Sequence, residues 1–235
     1  MKILFIHHSI GGLLLKYGQV RETLKKTVPE IELWDHGYNR QKGWLPFIAE
    51  LTYHTGLSDA DGKMTGTDYN ISLSNNSPKE YDQIFSRDPS DFTLKSILSY
   101  DVIIFKNCFP TTKIVSDAML EDHKKHYASI VVNLRKYPQK QFFIFTPPPL
   151  RSEMTRRDYA KRARILSDWM IHSLTSGNIS VFDFFDLLVD SDGQNANMLK
   201  REYSPFLFFD SHPNKNANKD IGPIFVKEIV KLMHK

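Results

Sequence analysis

The residues of this sequence best suited to covalent chemistry are a serine, a histidine, an asparagine and an aspartate, all near the ends of apolar runs. The run Lys2–His7 passes straight into His7-His8-Ser9-Ile10-Gly11-Gly12. A late segment reads Asp210-Ser211-His212-Pro213-Asn214. Two further segments, Asp35-His36-Gly37-Tyr38-Asn39 and Lys106-Asn107-Cys108-Phe109-Pro110, also follow apolar stretches. An alcohol nucleophile needs a base within hydrogen-bond reach, a group that orients the base, and donors for the oxyanion formed on attack. Ser9, His212, Asp210 and the Gly37 and Asn107 segments offer a candidate for each role. Each residue alone has a plainer reading. Ser9 fits a helix cap, Asn107 a turn, and His212 a surface or capping residue. Their joint occurrence at successive strand ends favours chemistry.

The elements that must position these residues follow from the hydrophobic pattern. Lys2–His7, Asp101–Lys106, Gln141–Thr146 and Ile179–Phe184 are short, continuous apolar runs, and Glu30–Trp34 is a weaker one. Continuous rather than alternating runs suit parallel strands covered on both faces. Helical patterns lie between them at Gly12–Thr27, Asp117–Lys136 and Thr155–Leu174, and Ile221–Lys235 closes the chain. Strands alternating with helices predict a three-layer α/β/α sandwich with a mostly parallel central sheet. In such sheets ligands bind beyond the carboxyl ends of the strands. A serine at the first strand-to-helix turn is then well placed. Its glycines allow backbone N–H groups to approach a reacting oxygen, and the helix N-terminus favours negative charge.

With these segments in hand, the chain resembles the SGNH (GDSL-type) hydrolases, esterase- and lipase-like enzymes, over nearly its whole length. The resemblance rests on Ser9 in His-His-Ser-Ile-Gly, Gly37 in Asp-His-Gly-Tyr, Asn107 in Lys-Asn-Cys-Phe-Pro and His212 in Ser-His-Pro-Asn. The run Ile144-Phe145-Thr146-Pro147-Pro148-Pro149-Leu150 is similar to the segment after the fourth strand in that family. The resemblance implies a flavodoxin-like SGNH fold, Ser9 as nucleophile and His212 as its base. It further implies an oxyanion hole from the Ser9 and Gly37 amides and the Asn107 side chain. Three departures stand out. His7-His8-Ser9 replaces the usual Gly-Asp-Ser, and Lys106 and Cys108 flank Asn107. Phe209 occupies the place of the aspartate three residues before the histidine. Asp210 is then the nearest acid. It could orient His212, a backbone carbonyl could do so, or Ser9 and His212 could work as a dyad. We expect Asp210 to reach the Nδ1 side of His212.

Composition narrows the class further. With 235 residues, 41% hydrophobic and 25% charged, the sequence suits one soluble domain, here 1–235, with a long insertion at about 39–90. The insertion is rich in Gly, Asp, Asn, Ser and Thr, and long loops of this kind are often lids or binding loops. We expect it to border the pocket. Its Trp44, Phe47, Tyr53 and Tyr69 could stack on a sugar, cover an acyl chain, or form a small satellite core. The net charge of +4 is spread over both signs. The densest basic stretch, Arg151–Arg164, is interrupted by acids and reads as a solvated helix face rather than a nucleic-acid footprint. Cys108 is the single cysteine, which excludes an intrachain disulfide and suits a buried thiol.

Neighbouring His7 and His8 point to opposite faces of a strand, so one should be buried and the other should line the site. Asp59-Ala60-Asp61-Gly62 lacks the remaining ligands of a calcium loop and reads as a turn. No metal and no cofactor are expected. His7, His8 and Ser9 interrupt the opening apolar run and no small-residue cleavage site follows, so a cytoplasmic location is expected. No apolar stretch approaches the roughly 18–20 residues of a membrane span. The expected activity is hydrolysis of a small ester, such as an O-acetyl group on a carbohydrate, with acyl transfer a variant of the same chemistry. Two alternatives stand beside it. One is a non-catalytic SGNH-like binding protein. The other is a flavodoxin-like phosphate or nucleotide binder that uses the Ser9-Ile10-Gly11-Gly12 turn.

Overall fold

A computed structural model describes residues 1–38, 55–71, 74 and 77–232. Five parallel strands form the sheet: β1 (Lys2–His7), β2 (Glu32–Tyr38), β4 (Val102–Phe105), β5 (Gln141–Phe145) and β6 (Ile179–Phe182). A sixth, β3 (Thr55–Ser58), pairs antiparallel with the outer edge of β2. The order is β3-β2-β1-β4-β5-β6. Without β3 this is the flavodoxin-like doubly wound order, whose switch point lies between β1 and β4.

Alternate residues of each strand feed two cores. On one face Leu4, Ile6, Ile103 and Phe105 meet Tyr81 and Phe85 of α3 (Lys79–Phe85), Leu94 and Ile97 of α4 (Phe92–Ile97), Tyr127 and Ile130 of α5 (Asp117–Leu134), and Leu166 and Met170 of α6 (Arg157–Leu174). On the other face Ile3, Phe5, Ile104 and Phe145 meet Ile10 and Leu14 of α1 (Ser9–Tyr17), Val20 and Leu24 of α2 (Val20–Thr27), Phe184 and Leu188 of α7 (Phe184–Leu188), and Ile221, Phe225 and Ile229 of α8 (Lys215–Leu232). The expected three-layer sandwich is therefore the fold.

Three boundaries differ from the hydrophobic pattern, each for a physical reason. Gly12–Thr27 is two helices, because the chain breaks at Gly18 and Gln19, with Gln19 in the left-handed region at φ 49°. β2 runs on to Tyr38, although Asp35 and His36 end the apolar run. Its pairing with β1 continues from Lys2 with Glu32 to His7 with Gly37, and both polar residues find partners in the interior. Asp35 meets Arg21 and His7, while His36 Nε2 accepts from the Tyr69 amide at 3.1 Å. Burial pushes the His36 imidazole down to about 4, against the opposing pull of Asp68. α8 begins at Lys215 rather than Ile221, because the Asn214 side chain accepts from the amides of Asn216 and Ala217. The insertion is not wholly irregular, since it carries β3 and α3.

Tyr69 is built into the core, its hydroxyl 2.9 Å from that of Tyr100 and its ring stacked on His36. The expectation for Trp44, Phe47 and Tyr53 falls outside the described residues. Among the described residues, no helix is long and apolar enough to cross a membrane.

The break at Gly18 lets α1 and α8 approach backbone to backbone. A Cβ on Gly222 would sit 2.2 Å from the Gly18 carbonyl oxygen and 2.5 Å from its Cα. Replacing Gly222 by Ala gains helix propensity of roughly 0.5–1 kcal/mol, but overpacking against backbone typically costs about 1–3 kcal/mol. The clash should win. Gly222→Ala is expected to lower the urea midpoint, and an unchanged or raised midpoint would contradict this close contact.

Candidate active site

The C-terminal ends of three adjacent parallel strands, β2, β1 and β4, bring the sequence-derived residues together. His8 is extended, and Ser9 opens α1 directly behind it. The His8 carbonyl accepts from the amides of Gly11 at 2.9 Å and Gly12 at 3.4 Å. His7, 1% exposed, packs beneath this turn and contacts the same carbonyl through Nδ1 at 2.9 Å. Its Nε2 lies 2.9 Å from Asp35, which the Arg21 guanidinium also grips. Gly11 is required here, because a Cβ would fall 2.3 Å from that of His7. The nucleophile turn is thus tied to β2 and α2 by buried polar contacts.

Ser9 Oγ lies 2.7 Å from His212 Nε2. On the other side of the ring, His212 Nδ1 contacts Asp210 Oδ1, and the same carboxylate oxygen accepts from the His212 backbone amide at 3.0 Å. That backbone bond folds Asp210 back as an Asx turn, so the carboxylate reaches the imidazole from two residues away. Phe209 points elsewhere, half exposed and edge-on to Phe208. Burial pushes the Asp210 carboxyl upward. The hydrogen bond and charge of His212, with the His212 and Ser211 amides, outweigh it and hold the carboxyl below its ordinary range.

The loop that carries this pair is braced. The Arg151 guanidinium donates to the carbonyls of Pro205 at 3.1 Å and Leu207 at 2.6 Å, and the Arg151 amide donates to Ser211 Oγ at 3.1 Å. Asn218 Nδ2 donates to the Pro213 carbonyl at 2.9 Å. Phe109 sets its ring edge-on to His212 at 5.1 Å. Arg151 was grouped by sequence with a solvated basic face, and the structure instead buries it at 9% exposure. Arg162 and Arg164 do pair on the surface, with Asp117, Asp158, Asp168 and Asp186.

Asn107 is buried two residues beyond Phe105, the residue in register with Ile6. Its orientation is set by a network: Tyr127 donates to Oδ1 at 2.8 Å, and Nδ2 donates to the Ser77 carbonyl at 3.3 Å. The 39–90 insertion therefore touches Asn107, through Ser77 just before α3. Gly37 lies inside β2, level with His7 on one side and Gly56 on the other, rather than in a loop after the strand. Cys108 is buried, and its sulfur lies 4.0 Å from Ser9 Oγ.

Sequence reasoning gave no role to Arg151 or Tyr127, and it expected one of His7 and His8 to line the site without saying which. His8 places Nδ1 2.9 Å from Ser9 Oγ, and Lys106 is buried with no hydrogen-bond partner for its Nζ among the described residues. The departure from Gly-Asp-Ser was a signal for His8. Nothing in the sequence marked Tyr127. Among the described residues, no group of three His, Cys, Asp or Glu is placed to hold a metal ion.

The topology is that of a three-layer α/β/α sandwich with a mostly parallel sheet, consistent with the fold of SGNH hydrolases. No family model and no curated protein matches the chain. Solved structures do match. A lipase from a goat rumen metagenome superposes with a TM-score of 0.56 at 10% identity, over 96% of this chain and 95% of that one. A GDSL-like lipase of Bacteroides thetaiotaomicron gives 0.52 at 11% identity, over 98% and 87%. A carbohydrate esterase family 3 protein of Talaromyces cellulolyticus gives 0.51 at 10% identity, over 100% and 98%. At these identities the likeness is one of fold.

Proposed function

We propose that this protein is a serine esterase or deacylase of the SGNH kind, a single domain with an insertion at 39–90, acting through an acyl-enzyme on Ser9. The observation that carries the reading is the unbroken line of contacts from Asp210 through His212 to Ser9 Oγ. Asp210 keeps the proton of His212 on Nδ1, which leaves Nε2 to accept the Ser9 proton as Oγ attacks an ester carbonyl. The oxyanion is met by the Ser9 amide and by Asn107 Nδ2, one of whose two N–H groups Ser77 occupies, whereas the Gly37 amide that the resemblance implied as a third donor lies within the ladder between β1 and β3. His212 then gives its proton to the departing alcohol, and water repeats the sequence on the acyl-enzyme. A carbohydrate O-acetyl ester is the substrate class we favour, in keeping with the carbohydrate esterase among the structures of like fold. The phosphate-binding alternative is less well supported, since the Gly11 and Gly12 amides are already engaged by the His8 carbonyl.

A fluorophosphonate probe tests this. The expected result is covalent label on Ser9, located by peptide mapping and absent in Ser9→Ala. An unlabelled parent protein would overturn the reading.

A further inference from the structure

Ser9 Oγ has two imidazoles within hydrogen-bond reach, His212 Nε2 at 2.7 Å and His8 Nδ1 at 2.9 Å. A hydroxyl carries one hydrogen and two lone pairs, so it can donate to only one of the two rings. The far side of His212 decides which. Its Nδ1 faces the Asp210 carboxylate, an acceptor, and must carry a proton. The Nε2 of the neutral ring is then a bare lone pair, and the Ser9 hydrogen points there. If His8 Nδ1 were also bare, two acceptors would face each other at 2.9 Å. We infer that His8 is a second catalytic imidazole, a neutral ring protonated on Nδ1 that donates a hydrogen bond to the Ser9 oxygen. This role in turnover rests on the esterase reading above; the tautomer does not.

The surroundings suit a neutral donor. Among the described residues, the charged groups that act on the ring are basic: Lys106, His212 and His7, with the Tyr38 ring 5.5 Å away. Burial first, then these three groups, push the His8 imidazole down to about 3. Such a ring holds its one N–H proton through the reaction and has no second proton to give.

Its effect falls on the oxygen whose charge changes. In acylation the Oγ–C bond forms as the Ser9 proton passes to His212. In deacylation water attacks the acyl carbon, its proton passes to His212, the C–Oγ bond breaks, and His212 returns the proton to Oγ. In both steps Oγ carries transient negative charge, and the His8 N–H is aimed at it. Together the two imidazoles also occupy the Ser9 hydrogen and one lone pair, which leaves the second lone pair for the carbonyl.

Three substitutions separate this role from packing. His8→Asn keeps an N–H near the position of Nδ1. His8→Asp has nearly the same shape but only accepts when ionised. His8→Leu has neither group. Losing one donor aimed at developing charge costs about 10²–10³-fold in kcat, so His8→Asp and His8→Leu should fall by that factor, with KM changed by less than about threefold. His8→Asn should stay within roughly tenfold of the parent by the same reasoning. The fluorophosphonate labelling rate of Ser9 should follow the same order, with thermal melts checking that each variant is folded. Equal kcat for His8→Asp and His8→Asn would overturn the donor role. Ring-nitrogen NMR of the parent protein gives a readout independent of turnover: it should find the His8 proton on Nδ1, and a proton on Nε2 alone would overturn the inference. An unlabelled parent protein, by contrast, would sink the esterase reading and leave the tautomer result standing.

Discussion

Ser9→Ala is expected to lower kcat for a short activated ester by roughly 10⁴–10⁶-fold, the loss typical when a nucleophile–base unit is broken. The fold should survive, because among the described residues the Ser9 side chain bonds only to His8, Cys108 and His212, at the carboxyl end of the sheet. His212→Ala should cost about as much. The more telling measurement is the double variant. Once the nucleophile is gone, a base 2.7 Å from the missing oxygen has no proton to take. Ser9→Ala/His212→Ala should therefore be little worse than either single change. If the two losses multiplied, the residues would be acting separately, and the proposed unit would be wrong.

Asp210→Asn should be nearly as severe, with kcat lower by about 10⁴-fold, the cost of setting the base in the wrong tautomer. The local geometry makes the reason concrete. The carboxylate oxygen that meets His212 Nδ1 also accepts from the His212 backbone amide. An asparagine whose carbonyl takes that place loses the charge that stabilises the imidazolium, and one whose N–H₂ takes it turns a donor toward the ring. His212 would then accept at Nδ1 and carry its proton on Nε2, facing Ser9 Oγ with a donor where an acceptor is needed. His8 already donates to that oxygen in our reading, so the Ser9 proton would have no acceptor among these groups. A loss of only a few fold would defeat the role of Asp210 and leave a Ser9–His212 dyad.

Much of the architecture was legible because it depends on short-range pattern. Continuous apolar runs marked β1, β4, β5 and β6 within a residue or two, and helical spacing marked α5 and α6. β2 was read too short, because a buried Asp35 and His36 look like a strand end until Arg21, His7 and the Tyr69 amide are seen to meet them. Burial of polar residues is permitted by partners distant in sequence, and a local pattern does not contain those partners. The split of Gly12–Thr27 has the same origin, since Gly222 lies about two hundred residues from the Gly18 it meets.

The sequence by itself determined the class of sheet, the strand ends that carry Ser9, Gly37 and Asn107, and the late segment that carries Asp210 and His212. These follow from residue type and from the period of the elements. Only the tertiary structure decided the geometry of the acid and the neighbour of the nucleophile. In an extended segment, side chains two residues apart share a face but stand roughly 6–7 Å apart along the chain, too far for Asp210 to bond the His212 ring. Here an Asx turn, with the loop clamped by Arg151 on the carbonyls of Pro205 and Leu207, curls the carboxylate back. His8 likewise gained its contact from the tight turn between β1 and α1, which the packing of Gly11 against His7 allows. Hydrogen bonds of this kind depend on the directions of side chains at about 3 Å. Those directions are set by contacts from elements far apart in the chain.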